Sequence, residues 1–86
     1  MTKKVYIVHG WTDRDCRRDI LCVYDNKRLA VNHIEECARE EVKKLDVPCT
    51  YDQRNGPYSR TVFDARRPDD VELAEFWFEC WHIKSD

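Results

Sequence analysis

Glycine and proline are scarce in this chain, at two and three among its 86 residues. No Gly/Pro-rich linker, low-complexity tract or internal repeat divides it, so residues 1–86 read as a single domain. Long apolar runs are missing as well. Nothing approaches the roughly eighteen consecutive apolar residues of a membrane-spanning helix. The opening Met1-Thr2-Lys3-Lys4 passes into a short apolar segment without the extended hydrophobic stretch of a secretory signal. The expectation is a cytoplasmic protein that does not enter a membrane. An excess of either charge is also lacking. With 37% charged residues and a net charge of -2, the chain has neither the basic surplus of a nonspecific nucleic-acid binder nor the acidity of a DNA mimic. Close cysteine pairs are absent too: Cys16, Cys22, Cys37, Cys49 and Cys80 are scattered, and their odd number leaves one over in any disulfide framework. Reduced thiols fit better, with Cys22 and Cys37 as small buried hydrophobes.

What the chain does have is an aromatic segment near its end. Phe76-Trp77-Phe78-Glu79-Cys80-Trp81-His82-Ile83 holds two of the three tryptophans and two of the three phenylalanines. As a strand it places Phe76, Phe78, Cys80 and His82 on one side and Trp77, Glu79, Trp81 and Ile83 on the other. Both sides then call for burial. A helix is the rival reading, because Pro68-Asp69-Asp70 makes a helix start and Glu72, Glu75, Glu79 and His82 recur at helical spacing. Aromatic density favours the strand, since these residues have weak helix and good strand propensity.

Upstream, Val5-Tyr6-Ile7-Val8 reads as a first strand ending near Gly10. Thr12 to Asp19 is a mixed-sign run expected to be a solvated loop, and Ile20-Leu21-Cys22-Val23-Tyr24 a second strand, antiparallel to the first. Asp25 or Asn26 can cap a helix beginning near Lys27. Val31, Ile34, Ala38, Val42 and Leu45 give it an apolar stripe, and Pro48 ends it by Asp46 or Val47. Glu35 or Glu36 with Arg39, and Glu40 with Lys43 or Lys44, are candidate pairs worth about 0.2 to 0.5 kcal/mol each. Cys49-Thr50-Tyr51 and Tyr58 to Phe63 can pair across Asn55-Gly56, in a loop that Pro57 makes irregular. The fold class is therefore α+β. Its order is ββαββ(β), with a mainly antiparallel sheet of four to five strands and one helix on one face. The second face is left to loops, around residues 12–19 and 64–70, or to another molecule.

Catalytic signals are weak. Val5-Tyr6-Ile7-Val8-His9-Gly10-Trp11 resembles the first strand of some serine-hydrolase-like and TIR-like domains, but those folds need a larger parallel sheet, and no nucleophile elbow is present. Cys80 and His82, sharing a strand face, supply half of a zinc site, which His9, Cys22 or Cys49 would have to complete. Base stacking on Trp77 and Trp81 beside Arg54, Arg60, Arg66 and Arg67 is chemically sensible, yet the net charge opposes RNA binding. The reading assigns no enzyme activity, cofactor or metal.

Three features carry a family resemblance: the opening strand Val5 to His9, the passage from Cys22-Val23-Tyr24 through Asp25-Asn26-Lys27 into a helix with Ala30, Ile34 and Glu35, and the closing aromatic strand. In these the chain resembles a family of small proteins of phage and bacterial genomes. The resemblance implies a phage- or mobile-element-encoded protein that occupies the surface of a bacterial defence protein, as anti-CRISPR proteins do, in the host cytoplasm. Trp and Arg are enriched in interface hot spots. Trp11, Trp77 and Trp81 are thus the candidate apolar anchors, and Arg14, Arg17, Arg18, Arg66 and Arg67 the charged contacts. The alternative is a homodimer packed through the aromatic sheet face.

Overall fold

The computed structural model describes residues 2–13, 16–67 and 71–84. Its elements run β1 (Thr2–Thr12), β2 (Arg17–Tyr24), α1 (Lys27–Lys44), β3 (Cys49–Asp52), β4 (Ser59–Asp64) and β5 (Glu72–Lys84). The five strands form one antiparallel sheet in the order β2-β1-β5-β4-β3, with the helix packed across one face. The α+β expectation holds, and the aromatic segment is a strand in the middle of the sheet. The helical alternative for it fails because its side chains alternate in burial, with Ala74, Phe76 and Phe78 buried between half-buried neighbours.

Side-chain periodicity sets this arrangement. Ala74, Phe76 and Phe78 of β5 meet Val8 of β1, Val62 of β4 and the helical line Ala30, Ile34 and Ala38. Residues four apart on a helix share a face, and alanine at two of the three helical positions lets the helix come close to the phenylalanine rings. The fully buried line thus starts one residue earlier than the sequence stripe suggests, and Val31, Val42 and Leu45 are only partly buried at its flank. Asn26 is the cap: its side-chain oxygen accepts from the backbone N–H groups of Arg28 at 2.8 Å and Leu29 at 3.3 Å. Helix α1 stops at Lys44, somewhat before the limit set by Pro48.

The strands are longer than their apolar cores. Arg17, Arg18 and Asp19 belong to β2 and not to a loop, because Trp11 and Thr12 continue β1 and pair with Arg18 and Arg17. Backbone pairing overrode the charge pattern there. Gly10 leaves room for the side chains that cover it: an added Cβ would sit 2.9 Å from Leu21 Cδ1 and 3.0 Å from Phe76 Cδ1. In the β3–β4 turn Gly56 has φ +118, a conformation that suits glycine.

One ion pair ties the helix to the sheet. Arg60 on β4 is 7% exposed, and its Nε donates to Glu35 Oε2 at 2.6 Å. Its Nη1 donates to the carbonyls of Pro57 and Ser59 at 3.0 and 2.9 Å, and Tyr51 donates its hydroxyl to Glu35 Oε1 at 2.9 Å. Glu35 thus serves the sheet, not Arg39. Of the intrahelical pairs expected from sequence, Lys43 with Glu40 is formed, at 3.7 Å and well exposed. Burial alone would raise the Glu35 carboxyl, but the hydrogen bonds from Arg60 and Tyr51 outweigh it and hold the pKa below its ordinary 4.5.

Removing Arg60 would strand Glu35 in a partly desolvated position. We expect Arg60→Met to cost about 2 to 3 kcal/mol in urea unfolding, below the ~3–5 of fully buried pairs because a third of Glu35 stays wet. Because the folded pKa is depressed, the stability from this pair is fully present above the unfolded value near 4.5 and is lost as pH falls through the folded one. Glu35→Gln should flatten that part of the pH–stability curve, and an unchanged acid slope would contradict the pairing.

Candidate functional site

Helix α1 packs on one sheet face, and among the described residues no helix covers the second. That face carries Ile7, His9 and Trp11 from β1 and Trp77, Glu79, Trp81 and Ile83 from β5, by the strand register. Part of it is sealed locally. Asn55 donates from Nδ2 to Thr61 Oγ1 at 3.0 Å and to Glu75 Oε2 at 2.6 Å, and Ser59 donates to the same carboxylate oxygen at 3.1 Å. The Arg54 guanidinium lies 3.9 Å from the centre of the Phe63 ring. The segment 53–58 therefore covers the β4 side, and Ser59, Thr61 and Phe63 are buried beneath it. From Pro57 the sequence predicts an irregular loop here but not its covering role, since the loops expected to cover the face are residues 12–19 and 64–70.

The β2–β1–β5 side stays open. Glu79 is its polar hub: Oε2 accepts from Trp81 Nε1 at 3.1 Å, Oε1 accepts from Arg18 at 3.4 Å, and His9 Nε2 stands 3.5 Å from Oε2. The Trp81 indole bond is the main reason that the Glu79 carboxyl lies below its ordinary pKa; burial opposes it, and His9, Trp77 and Arg18 lower it further. His9 stacks on Trp77 at 5.3 Å with an interplanar angle of 12°, and Arg18 lies over the same indole at 5.2 Å. Trp77 is thus clamped between strands. Trp81, by contrast, is 54% exposed, with Ile83 at 51%, and at the β2 edge Ile20 and Val23 are 65% and 55% exposed.

The candidate residues named from the sequence are only partly gathered here. Trp11, Arg18, Trp77 and Trp81 share this face. Arg17 pairs with Thr12, so it points to the helix side, where its Nε meets Asp19 at 3.2 Å. Arg66 is engaged by Asp64 in the turn after β4, through its backbone N–H and its guanidinium at 2.9 to 3.2 Å. Both Arg66 and the neighbouring Arg67 are exposed near the start of β5, roughly 30 Å along the strand from Trp81. Arg14 lies outside the described residues. Glu79, Ile20 and Val23 were missed. Only the register of β2 against β1 brings them together, and a one-residue slip would have turned them away.

Cys80 and His82 do share a face, but both are exposed, and among the described residues no group of three or more His, Cys, Asp or Glu side chains could hold a metal ion. All five cysteines are free. Burial pushes the Cys37 and Cys49 thiols upward, away from the reactive thiolate. Among the described residues, no helix is long and apolar enough to cross a membrane.

His9 yields a direct test. Only 7% exposed, its ring has no protein hydrogen-bond partner at good geometry, the 3.5 Å approach to Glu79 being too long for one. A buried polar group without a partner costs stability, and an apolar ring of similar shape avoids that cost. His9→Phe should therefore match or exceed the parent by up to about 1 kcal/mol in urea unfolding, and a loss larger than that would show that the imidazole is bonded. Comparison with protein-family models, with curated proteins and with solved structures returned no match, so the reading of this site rests on its own geometry.

Proposed function

We propose that the chain is a small non-catalytic protein-binding module that docks through the open β2–β1–β5 face of its sheet. In the form implied by the family resemblance, it acts in the bacterial cytoplasm by occupying the surface of a defence protein. One observation carries the docking surface. Four large apolar side chains, Ile20, Val23, Trp81 and Ile83, are each more than half exposed on one sheet face, beside the fixed Arg18–Trp77 pair.

Physical reasons favour contact over mere exposure. A concentration of exposed apolar side chains rimmed by polar ones is how interaction sites look on soluble domains. Tryptophan and arginine supply anchors, and Trp81 is held by its bond to Glu79, so less rotamer freedom is lost on binding. Nothing comparable supports chemistry at this face. The identity of the bound protein as a bacterial defence component is supported by the resemblance and the small size.

The immobilised protein should retain a defence component from a bacterial lysate containing such complexes. With the captured protein in hand, Arg18→Glu and Val23→Asp should each weaken binding by about tenfold or more, while far-UV circular dichroism shows the fold retained. Unchanged affinity in both folded variants would remove this face from the reading.

A further inference from the structure

Strands β1 and β5 outrun their neighbours. Described pairing of β2 with β1 begins at Tyr6, and that of β4 with β5 ends at Trp77, whereas β1 and β5 stay paired from Thr2 with Lys84 through Val5 with Trp81. Residues 2–5 and 81–84 thus form a two-stranded arm with no third strand among the described residues. Apart from Val5, every residue from Lys3 to Val5 and from Trp81 to Lys84 is exposed. The molecule is accordingly long, 51 × 22 × 19 Å, with a radius of gyration of 14.1 Å, against about 12 Å for a compact domain of this length. A bare two-stranded ribbon is marginal in water, so this arm gains from being seated.

The arm is also polarised. It carries Lys3, Lys4 and Lys84 and no carboxylate, so the rest of a chain with net charge -2 holds five net negative charges. Some of that negative charge lines a cleft of about 410 Å³ between α1 and the β1–β2 end of the sheet. Its apolar walls are Leu21 and Phe76, and Glu36, Glu40 and Glu41 outnumber Lys44 as charged lining. Thr12, at the far end of β1, also borders it, which puts the cleft roughly 24 Å along that strand from the arm. A chain's own arm cannot fold back to it.

We propose that this protein self-associates by seating the arm of one copy in the α1–β2 cleft of a second. Trp81 and Ile83 meet Leu21 and Phe76, while Lys3 on the same ribbon face and Lys84 on the other reach Glu36 and Glu40 from the ribbon tip. Arm and cleft lie at opposite ends, so two copies placed antiparallel about a two-fold axis seat both arms at once and close the assembly as a dimer. The arrangement shares Trp81 and Ile83 with the docking face proposed above but leaves out Arg18 and Val23, so variants of those two residues separate it from foreign-protein binding. It also differs from a face-to-face packing of two aromatic sheets, which needs no charge match.

Sedimentation velocity tests this with two surface variants, Lys3→Glu/Lys84→Glu on the arm and Glu36→Lys/Glu40→Lys on the cleft. The parent should sediment as a dimer that weakens as salt is raised, and each variant alone should associate at least about tenfold more weakly. An equimolar mixture of the two folded variants should recover the dimer, because each reversed arm then faces a reversed cleft and each native arm a native one. A parent that stays monomeric, a dimer indifferent to both reversals, or a mixture that stays monomeric would overturn the proposal. So would a monomeric parent that binds duplex DNA through the arm lysines, since the arm would then be a nucleic-acid ribbon.

Discussion

Everything in this fold depends on β5 having large apolar side chains on both faces while the described residues supply one helix. Phe76 and Phe78 fix the helix side, where Ala30, Ile34 and Ala38 come down on them. Trp77, Trp81 and Ile83 are then committed to the other side by the two-residue period of a strand. Neither set can move without the other. With ~25 cal/mol per Å² of apolar surface at stake and each aromatic offering 150 to 250 Å², covering the second face is worth kilocalories, and the molecule covers it only in part. Segment 53–58 seals the β4 side, and Arg18 with His9 clamps Trp77. Ile20 and Val23 along β2, and Trp81 and Ile83 toward the end of β5, remain exposed on that face.

Polar bonds decide which parts of this small core are rigid. Arg60 joins Glu35 of the helix to the carbonyls of Pro57 in the β3–β4 connection and of Ser59 at the start of β4, so helix, turn and sheet share one set of hydrogen bonds. Glu79 does a similar service on the open face, where it orients Trp81 and Arg18 together. A small domain that buries only about 60 to 65% of its unfolded surface gains much from such ties. They also explain how an exposed tryptophan can be presented in one orientation.

Much of the fold was legible in the sequence. The helix showed in its apolar spacing and in Asp25 or Asn26 as its cap, the β3–β4 connection in Asn55-Gly56, and the aromatic strand in its composition. Strand ends were not legible, since Arg17 to Asp19 look like loop until Trp11 and Thr12 pair with them. The site was half legible. Tryptophans announced themselves by type, whereas Ile20 and Val23 looked like ordinary core until the sheet order put β2 at an edge. Arg17 and Arg18 are adjacent in sequence but face opposite sides, a distinction that only the register supplies. Arg60, read from sequence as a possible base-stacking neighbour, is a buried structural residue.

Amide hydrogen exchange of the protein, free and bound to a captured partner, tests the central claim that the uncovered sheet face is the contact surface. The account predicts added protection in residues 18–23 and 77–83, with the helical segment 30–44 unchanged. Protection gained on the helix, with β2 and β5 exchanging as in the free protein, would contradict it.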